Sequence, residues 1–594
     1  MKIAYLTDRS SFFKTILLLV GLLNLINTRL AAGEGITTST NLGTWVGSSL
    51  VMASPENSIF QYQTDSIIYT PPGGFASVTT QAYLWIPPSI KKIRGLLIIN
   101  QNVPEQRLVA NAEIRKACGD VDMAILFACP RFYMPDTYKL PLAQKGPLNV
   151  EVLQKVVDAL AEESGHPEIR TAPWLPMGES MALQIPCVLT SFVPDRCIAG
   201  VLLKDIPIDR TTSPNVPILA TKGTGVEWNQ EQYDVFTEWQ NGAVVAKKQV
   251  VDKRTATPTW PGSLLIEAGS SHFSITDKMT SIVAHYIKAS ALARLSLNGS
   301  DALRPVDLDN GYVVGLPGPE DAGLPPKSYK ECSVSEKNLP WYFTKELAQE
   351  AYDLANVNWN AKSAMVNVVS ADGTPAVLNH RGITTLTVVY EEDGISFRLK
   401  AGFYDKLPDN FVHHGGETIT HPAEQPITEW VCGPFKPLGG DRFQVYVDRS
   451  YRATNYYARS FYPGNSDYRL TTNPIGLALN PCKSGERQNI TFPPIPDQKM
   501  PVNSITLKAT SSSGLPVRYF VKSGPAVIVN NNQLVFQDVP HYSNKAMKIK
   551  VVAWQWGKYP DIQAATPVEQ TFYLTLRSTT TKSVAKDGPR RGNK

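Results

Sequence analysis

The stretch WLPMGESMALQIPCVLTSF, residues 174–192, is the part of the sequence that decides the fold. It begins as a short apolar run typical of a buried strand and ends with apolar residues spaced three and four apart, as in a helix. Between the two, Gly178 and Ala182 flank Ser180 at a predicted tight turn. A strand, sharp turn and helix is the setting of the G-x-S-x-G motif, in which small neighbours let the turn expose the serine hydroxyl. Ala182 replaces the second glycine with the next smallest side chain, so Ser180 is a candidate nucleophile.

Outward from this turn, residues 82–295 alternate short apolar runs with amphipathic segments. The predicted strands are 82–86, 95–100, 123–128, 174–177, 198–203, 217–221 and 263–267. The predicted helices are 149–163, 181–192, 231–248 and 275–295. Continuous apolar strands separated by helices predict a mostly parallel sheet with helices on both faces.

Two histidines follow Ser180 within this segment, and a serine nucleophile needs a base within hydrogen-bond reach. His285 falls in the middle of the last predicted helix, where a packed or surface imidazole is the better interpretation. His272 follows the last predicted strand and precedes that helix. This is a suitable position for a general base, and the alternative is a helix-start residue without chemistry.

The rest of the chain is rich in turn and strand signals. Residues 297–361 predict a linker, rich in Gly, Pro, Asp and Lys, that ends in a bridging helix. Residues 362–482 predict a β-sandwich-like domain, with a hairpin formed by strands 383–390 and 395–399. Short strands in residues 489–577 predict a second sandwich, which its Pro-rich entry would hold away from its neighbour as a stiff spacer.

The composition and the two ends of the chain indicate an exported globular protein. With 43% hydrophobic residues and a net charge of +5 over 594 residues, neither a disordered chain nor a nucleic-acid-binding surface is expected. Basic residues followed by the apolar run 15–26 predict a signal peptide over residues 1–32, an uncleaved anchor being the weaker alternative. We therefore expect a secreted, periplasmic or cell-surface protein with no other membrane segment. Residues 578–594 predict a basic disordered tail.

Metal and redox chemistry have no clear motif in the sequence. The seven cysteines are widely spaced without a C-x-x-C pair, and their pairing stays open. His413 and His414 are adjacent, which would place them on opposite sides of a strand, so a surface loop is the better interpretation. No metal site is predicted.

Three stretches of residues 48–296 resemble the α/β-hydrolase superfamily, and most of all compact secreted bacterial hydrolases. They are YTPPGGFASVTTQAYLWIPPSIKKIRGLLI (69–98), PEIRTAPWLPMGES (167–180) and EAGSSHFSITDKMTSIVAHYIKASALARL (267–295). The resemblance implies the α/β-hydrolase fold and a serine hydrolase that needs no cofactor. In that fold the acid and then the histidine follow the serine along the chain.

The resemblance also implies roles for further residues of the site. Glu227, on the loop after strand 217–221, stands at the usual position of the orienting acid, and Asp205, after the preceding strand, is the alternative. Asp209 and Asp234 are more distant choices for this role. The oxyanion hole takes one N–H from Met181 and one from the loop after strand 95–100, where Asn102 or Gln101 is the donor.

The last unit carries a separate resemblance. TFPPIPDQ (491–498), SSGLPVRYFVKSGPA (512–526) and VVAWQWG (551–557) resemble bacterial Ig-like repeats at the ends of secreted enzymes and surface proteins. Such repeats imply a spacer or an adhesion unit, with contact to a polymer or a cell surface, and nothing catalytic.

These patterns predict an esterase-like serine hydrolase that acts on an ester or an acylated carbohydrate. The alternative is a non-catalytic surface or carbohydrate-binding protein on a decayed hydrolase fold, and peptidase activity is a third option because acyl transfer shares this geometry. The link 205–217 is too short for an inserted cap domain, so Ser180 should be open unless later domains cover it. An aromatic wall for sugar stacking, which ordinary loop packing explains equally well, would come from Arg131, Phe132, Tyr133 and Tyr138.

Overall fold

The computed structural model describes most of the chain between residues 59 and 576. The described ranges are 59–69, 78–129, 131, 142–211, 213–225, 238–296, 302–316, 323–357, 361–378, 383–409, 415–449, 456–540 and 545–576. The predicted signal peptide and the predicted basic tail lie outside the described residues.

The main sheet has eight strands and is parallel except at one edge. Its strands are β1 (Tyr62–Gln63), β2 (Ala82–Trp85), β3 (Gly95–Asn100), β4 (Met123–Ala128), β5 (Trp174–Glu179), β6 (Gly200–Leu203), β7 (Ile218–Gly223) and β8 (Gly262–Glu267). They stand in the order β1-β2-β4-β3-β5-β6-β7-β8, and β2 pairs antiparallel with both of its neighbours. Every residue of β3, β4, β5, β6 and β8 is buried. Because successive side chains point to opposite faces, both faces of the sheet are covered.

Helices provide that cover. They are α1 (Glu105–Val109), α2 (Ala112–Gly119), α3 (Leu142–Ser164), α4 (Gln184–Phe192), α5 (Glu238–Ala256) and α6 (Asp277–Arg294). The helices α2 and α6 pack together, as do α3 and α4. The strand order and these helices fit the α/β-hydrolase fold. Two further short strands, Ile67–Tyr69 and Val78–Thr80, form a separate ribbon.

The segment predicted as a linker folds against the edge of the main sheet. It forms a small sheet of Tyr312–Gly315, Leu324–Ser328 and Trp341–Tyr342, followed by α7 (Lys345–Asn356). The hydroxyl of Tyr342 donates to the carbonyl oxygen of Leu264 in β8 at 2.5 Å, and α7 packs on α6 and β8. This segment therefore extends the α/β unit at β8.

The middle unit, within residues 361–482, consists of two facing sheets and a strand pair. The first sheet contains Thr384–Thr387, Thr471–Ala478, Tyr457–Tyr462 and Ile427–Cys432, and the second contains Ser396–Arg398, Arg442–Val445 and Phe435–Gly439. The pair is Val366–Val368 with Ala401–Phe403. Side chains of both sheets, among them Phe397, Phe443 and Ile475, share one core. This is the arrangement that a sandwich requires.

The predicted hairpin of strands 383–390 and 395–399 is wrong. Thr384–Thr387 pairs with Thr471–Ala478, whereas Ser396–Arg398 pairs with Arg442–Val445 in the other sheet. The turn between them does form, since the carboxylate of Asp393 accepts the N–H groups of Ile395 and Ser396. That turn carries the chain from one sheet to the other. Apolar and polar residues alternate in both strands because each strand turns one side toward the core that the two sheets share.

The last unit also has two sheets. One contains Gln498–Lys499, Val568–Thr575, Met547–Trp554 and Arg518–Ser523, and the other contains Ser504–Thr506, Gln533–Phe536 and Ala526–Val529. Ile490–Thr491 pairs with Thr510–Ser511. The expectation that the Pro-rich entry holds this unit away from its neighbours is wrong. Trp554 and Trp556 lie in the core of the middle unit, and the N–H of Gly524 donates to the carbonyl oxygen of Phe60, next to β1, at 2.9 Å.

The cysteines and the helices add two observations. All seven cysteines are free thiols, and six of them are buried. Among the described residues there is no membrane-crossing helix, since none of their helices is both long and apolar enough.

Candidate functional site

Ser180 lies on a sharp turn at the carboxyl end of β5. Its φ is +51°, a left-handed conformation that is uncommon for a residue with a side chain and is found most often where function requires it. A single 3₁₀ turn, Ser180–Leu183, leads from it into α4. A methyl group on Gly178 would lie 2.5 Å from the carbonyl oxygen of Ala182, so only glycine fits there. The turn thus has the backbone that the G-x-S-x-G motif produces, with Ala182 in the place of the second glycine.

A small cleft opens beside this turn. Its volume is about 250 Å³, and it is lined by Ser180, Met181, Leu183, Gln184, Cys187, Val188, Asp205, Pro207 and Arg210. Ser180 is half-buried, whereas the side chain of Met181, the predicted first oxyanion donor through its N–H, is 45% exposed. Leu183, Cys187 and Val188 make part of the lining apolar, whereas Gln184, Asp205 and Arg210 make other parts polar or charged. The nucleophile candidate is therefore reachable from a small pocket of mixed polarity.

His272 is buried on the loop between β8 and α6. Its Nε2 lies 3.1 Å from Oε1 of Glu179, the residue before Ser180, and its ring donates to the backbone carbonyl of Lys204. The ring also packs edge-on against Phe273. In the described part of the chain no hydrogen bond joins the hydroxyl of Ser180 to His272. The loop brings the predicted base next to the turn, with the neighbouring carboxyl group as its contact.

The electrostatics of this contact favour two neutral groups. Burial, followed by the charges of Lys222 and Lys204, lowers the pKa of His272 to about 3. Burial and the nearby charge of Glu105 raise the pKa of the Glu179 carboxyl well above its ordinary value. The alternative is an ion pair between an ionised Glu179 and a protonated His272. Both shifts favour the neutral forms of the imidazole and of the carboxyl group across this 3.1 Å contact.

Glu105 connects the two loops on the other side of Glu179. One of its carboxylate oxygens accepts the N–H of Glu179 at 2.8 Å, and the other accepts the N–H groups of Asn102 and Val103 at 2.9 and 2.8 Å. Burial raises the pKa of Glu105 to about 7 in spite of these bonds. Three backbone N–H groups donate to the carboxylate of Glu105, whereas the carboxyl group of Glu179 accepts one described bond, from the side-chain amide of Asn102.

Asn102, the predicted second oxyanion donor, is already engaged on three sides. Its side-chain amide donates to Oε2 of Glu179 at 2.7 Å, and its side-chain oxygen accepts a bond from Arg131 at 2.6 Å. Its N–H donates to Glu105, and the N–H of Gln101 donates to the carbonyl of Ala128. Use of Asn102 as an oxyanion donor therefore requires a bond in this network to be given up.

Lys204 is a buried cation beneath the histidine loop that the sequence analysis did not single out. It follows β6 with a φ of +61°, and its ammonium group donates to Ser270 at 2.5 Å and to Glu267 at 3.2 Å. Burial lowers its pKa, and the carboxylate of Glu267 opposes that shift. Lys204 thus holds both ends of the turn that precedes His272, and its own carbonyl accepts a bond from the ring.

Several predicted residues lie away from this contact or outside the described ranges. Asp205 is exposed on the wall of the cleft, where its carboxylate accepts the N–H of Ile206 at 2.8 Å. His285 is exposed on α6 and pairs with Glu350 at 2.8 Å. The predicted residues that lie outside the described ranges are Glu227, Asp234, His413, His414, Phe132, Tyr133 and Tyr138. Among the described residues no group of three His, Cys, Asp or Glu side chains suits a metal ion.

Comparison with known proteins yields structural similarity without sequence similarity. No protein-family model matches the chain, and no curated protein matches its sequence. Dienelactone hydrolase from Anabaena variabilis is 12% identical over 40% of this chain and 100% of its own, with a TM-score of 0.24. An alpha-beta serine hydrolase homologue from Coxiella burnetii (12% identity, 38% of this chain, 95% of its own) has a TM-score of 0.25. S-formylglutathione hydrolase from Staphylococcus aureus (10% identity, 39% of this chain, 99% of its own) has 0.24. At these TM-scores the similarities do not bear on activity.

Proposed function

We propose that this protein is a serine hydrolase that cleaves carboxylic esters, with Ser180 as its nucleophile and His272 as its general base. The observation that carries the proposal is the left-handed backbone of Ser180 at the end of β5, which opens on a cleft, together with the contact of His272 with Glu179, the residue before Ser180. A neutral imidazole is the form that accepts a proton. A turn of this kind costs free energy and is found where a hydroxyl must be presented to a substrate.

In the proposed reaction the oxygen of Ser180 attacks the ester carbonyl carbon while its proton passes to His272. The negative charge that develops on the carbonyl oxygen is stabilised by the N–H of Met181. Collapse of this intermediate breaks the bond to the alkoxy group, which leaves as an alcohol with the proton from His272. Water then attacks the acyl-enzyme by the same route, and a carboxylic acid and the free serine result.

This reaction requires His272 to exchange its contact with Glu179 for one with Ser180. Separating a carboxylic acid from a neutral imidazole costs less than separating a buried ion pair, so the raised pKa of the Glu179 carboxyl favours the exchange. Hydrogen bonds of catalytic groups are often long or misaligned before substrate binds. The role that follows for Glu179 is to hold the base beside the nucleophile in the unliganded protein.

The volume of the cleft favours a small acyl group. About 250 Å³ lies below the 300–1,000 Å³ usual for ligand pockets, so a long acyl chain does not fit. The proposed substrates are therefore short-chain esters, including acylated carbohydrates whose sugar stays outside the cleft. Export by the predicted signal peptide over residues 1–32 and contact of the β units with a polymer or cell surface belong to the same proposal.

The orienting acid is proposed to be Glu227, with Asp205 as the alternative. We expect Glu227→Gln to lower kcat more than about tenfold, because loss of the charge destabilises the imidazolium that forms during the reaction. Asp205→Asn should do much less, since its carboxylate is exposed and bonded to its neighbour's N–H. Steady-state kinetics on p-nitrophenyl acetate measure both variants, and the opposite ranking would assign the acid to Asp205.

One observation favours a second candidate, a non-catalytic binding protein on a decayed hydrolase fold. His272 faces Glu179, and the N–H of Asn102 is occupied by Glu105, so neither group is directed at a reacting atom in this arrangement. A fluorophosphonate probe separates the candidates, because it reacts covalently only with an activated serine. Labelling of the wild type but not of Ser180→Ala supports the enzyme, and an unlabelled but folded wild type supports the binding protein.

A further inference from the structure

The loop that carries His272 is enclosed by the middle β unit as well as by the α/β unit. Residues 269–275 connect β8 to α6, and residues on both sides of His272 contact strands of the middle unit. His272 itself points the other way, toward Glu179 and Lys204. The two units therefore hold opposite sides of the same loop.

On the side before His272 the contact is made by Thr472. Its hydroxyl oxygen accepts the N–H of Ser271 at 2.7 Å, and its O–H donates to the hydroxyl of Ser271 at 2.9 Å. Both residues are buried, Ser271 fully and Thr472 to 4% exposure. Gly269 lies so close to the backbone of Leu470 that a methyl group there would overlap the carbonyl oxygen. The loop therefore bonds directly to the β unit at Ser271 and approaches it closely at Gly269.

On the side after His272 the contact is made by Arg459. Its guanidinium, which is 2% exposed, donates to the hydroxyl of Ser274 at 2.5 Å and to the carbonyl of Ile275 at 3.1 Å. The same guanidinium is held by Glu429 through two bonds of 2.7 and 2.5 Å. Between these two contacts Phe273 packs on Tyr457, with ring centroids 5.0 Å apart. A buried charge pair fixed in this way restricts the loop to one position.

The middle unit also contacts α1, the helix that follows the loop of Asn102. The side chain of Gln106 in α1 donates to Asp448 at 2.8 Å and accepts the N–H of Gly433 at 3.0 Å. The guanidinium of Arg107 lies 3.9 Å from the carboxylate of Glu429. Glu429 thus stands between Arg107, next to the loop of Asn102, and Arg459, next to the loop of His272. The middle unit therefore contacts both the loop of His272 and α1, the helix that follows the loop of Asn102.

We infer that the middle β unit is a working part of the active site, in which Thr472 and Arg459 are positioning residues that set the place of His272. This inference rests on the proposed function and assigns the unit a role besides polymer contact. In the proposed reaction the imidazole moves from its contact with Glu179 to one with Ser180. This requires the backbone of the His272 loop to keep its position while the ring turns. Displacement of a catalytic group by about 1 Å costs about 10²-fold in rate.

The test compares three substitutions in the full-length chain. Thr472→Val removes the hydroxyl and keeps the shape, so we expect kcat on p-nitrophenyl acetate to fall about tenfold with KM within about twofold. Thr472→Ser restores the hydroxyl and should return kcat to within about threefold of the wild type. The matched control is Thr384→Val, which removes another buried hydroxyl of the same sheet, one whose described hydrogen bond goes to Asn367 at 2.9 Å and not to the loop. It should leave kcat unchanged.

Amide hydrogen exchange adds a readout that does not depend on activity. Thr472→Val should speed exchange in residues 269–275, and Thr384→Val should not. Unchanged kcat and unchanged exchange in Thr472→Val would overturn the inference, as would an equal loss of kcat in Thr384→Val. A wild type that neither hydrolyses the ester nor reacts with the fluorophosphonate probe contradicts the proposed function, and the exchange comparison then still decides whether Thr472 holds the loop of His272.

Discussion

Replacing His272 with alanine is expected to lower kcat/KM on p-nitrophenyl acetate by about 10³-fold or more. Without an imidazole, nothing accepts the proton from Ser180, and general base catalysis alone contributes about 10² to 10⁴. The measurement is steady-state kinetics with circular dichroism to show that the variant is folded. His285→Ala is the matched control, because this exposed histidine lies on α6 and pairs only with Glu350 among the described contacts. Equal activity of the two variants would contradict the role of His272.

The same base predicts the pH dependence of the wild type. A general base works in its neutral form, and a lowered pKa keeps His272 neutral to lower pH than an exposed histidine. The acid limb of kcat/KM should therefore lie clearly below the ordinary histidine value near 6.5. A profile that falls with an apparent pKa of 6.5 or higher would mean that the base ionises in a solvated environment, which conflicts with the burial of His272.

A chain that ends at Pro481 is expected to lose its cooperative fold as well as its activity. The truncation removes Trp554 and Trp556, which are 2% and 4% exposed in the core of the middle unit. It also removes Gly524, whose N–H pairs with Phe60 beside β1. Each large buried side chain contributes about 3–5 kcal/mol, and whole domains are stable by only about 5–15 kcal/mol.

Thermal unfolding followed by circular dichroism measures this effect. The matched control is a chain that ends at Leu576, which keeps every described residue and should unfold at the temperature of the full-length protein. If the chain ending at Pro481 unfolds cooperatively near that temperature and keeps its kcat, the last unit is independent and its packing on the middle unit does not contribute to stability.

The central strands were the part of the fold that the sequence revealed best. The predicted bounds of β3 (Gly95–Asn100) and β4 (Met123–Ala128) match the structure, because strands buried on both faces leave uninterrupted apolar runs. The strand Tyr62–Gln63 was not predicted, since two residues carry no periodicity. The helices α1 and α2 between β3 and β4 were also missed. Each is short, and α1 follows Pro104 without a side-chain cap that would mark its start.

The candidate site was predictable only where it depends on local sequence. Ser180 follows β5 and His272 follows β8, and these parallel strands have their carboxyl ends on the same side of the sheet. The contacts of Glu179 were not predictable, because they join residues 74 and 77 positions apart through side-chain geometry. The bond between Ser271 and Thr472 spans 201 positions and two separate units. No periodicity or motif records such a contact, so the role of the middle unit became visible only in the structure.

The measurement that tests the central claim most directly is the site of covalent modification by a fluorophosphonate probe. The full-length wild type, Ser180→Ala and His272→Ala are treated under the same conditions, and the modified peptide is identified by mass spectrometry. An activated nucleophile predicts a single adduct on Ser180 in the wild type, none in Ser180→Ala and strongly slowed labelling in His272→Ala. A folded wild type that takes up no probe, or one that is modified at another residue while Ser180 stays free, would contradict the claim that Ser180 and His272 form the catalytic centre.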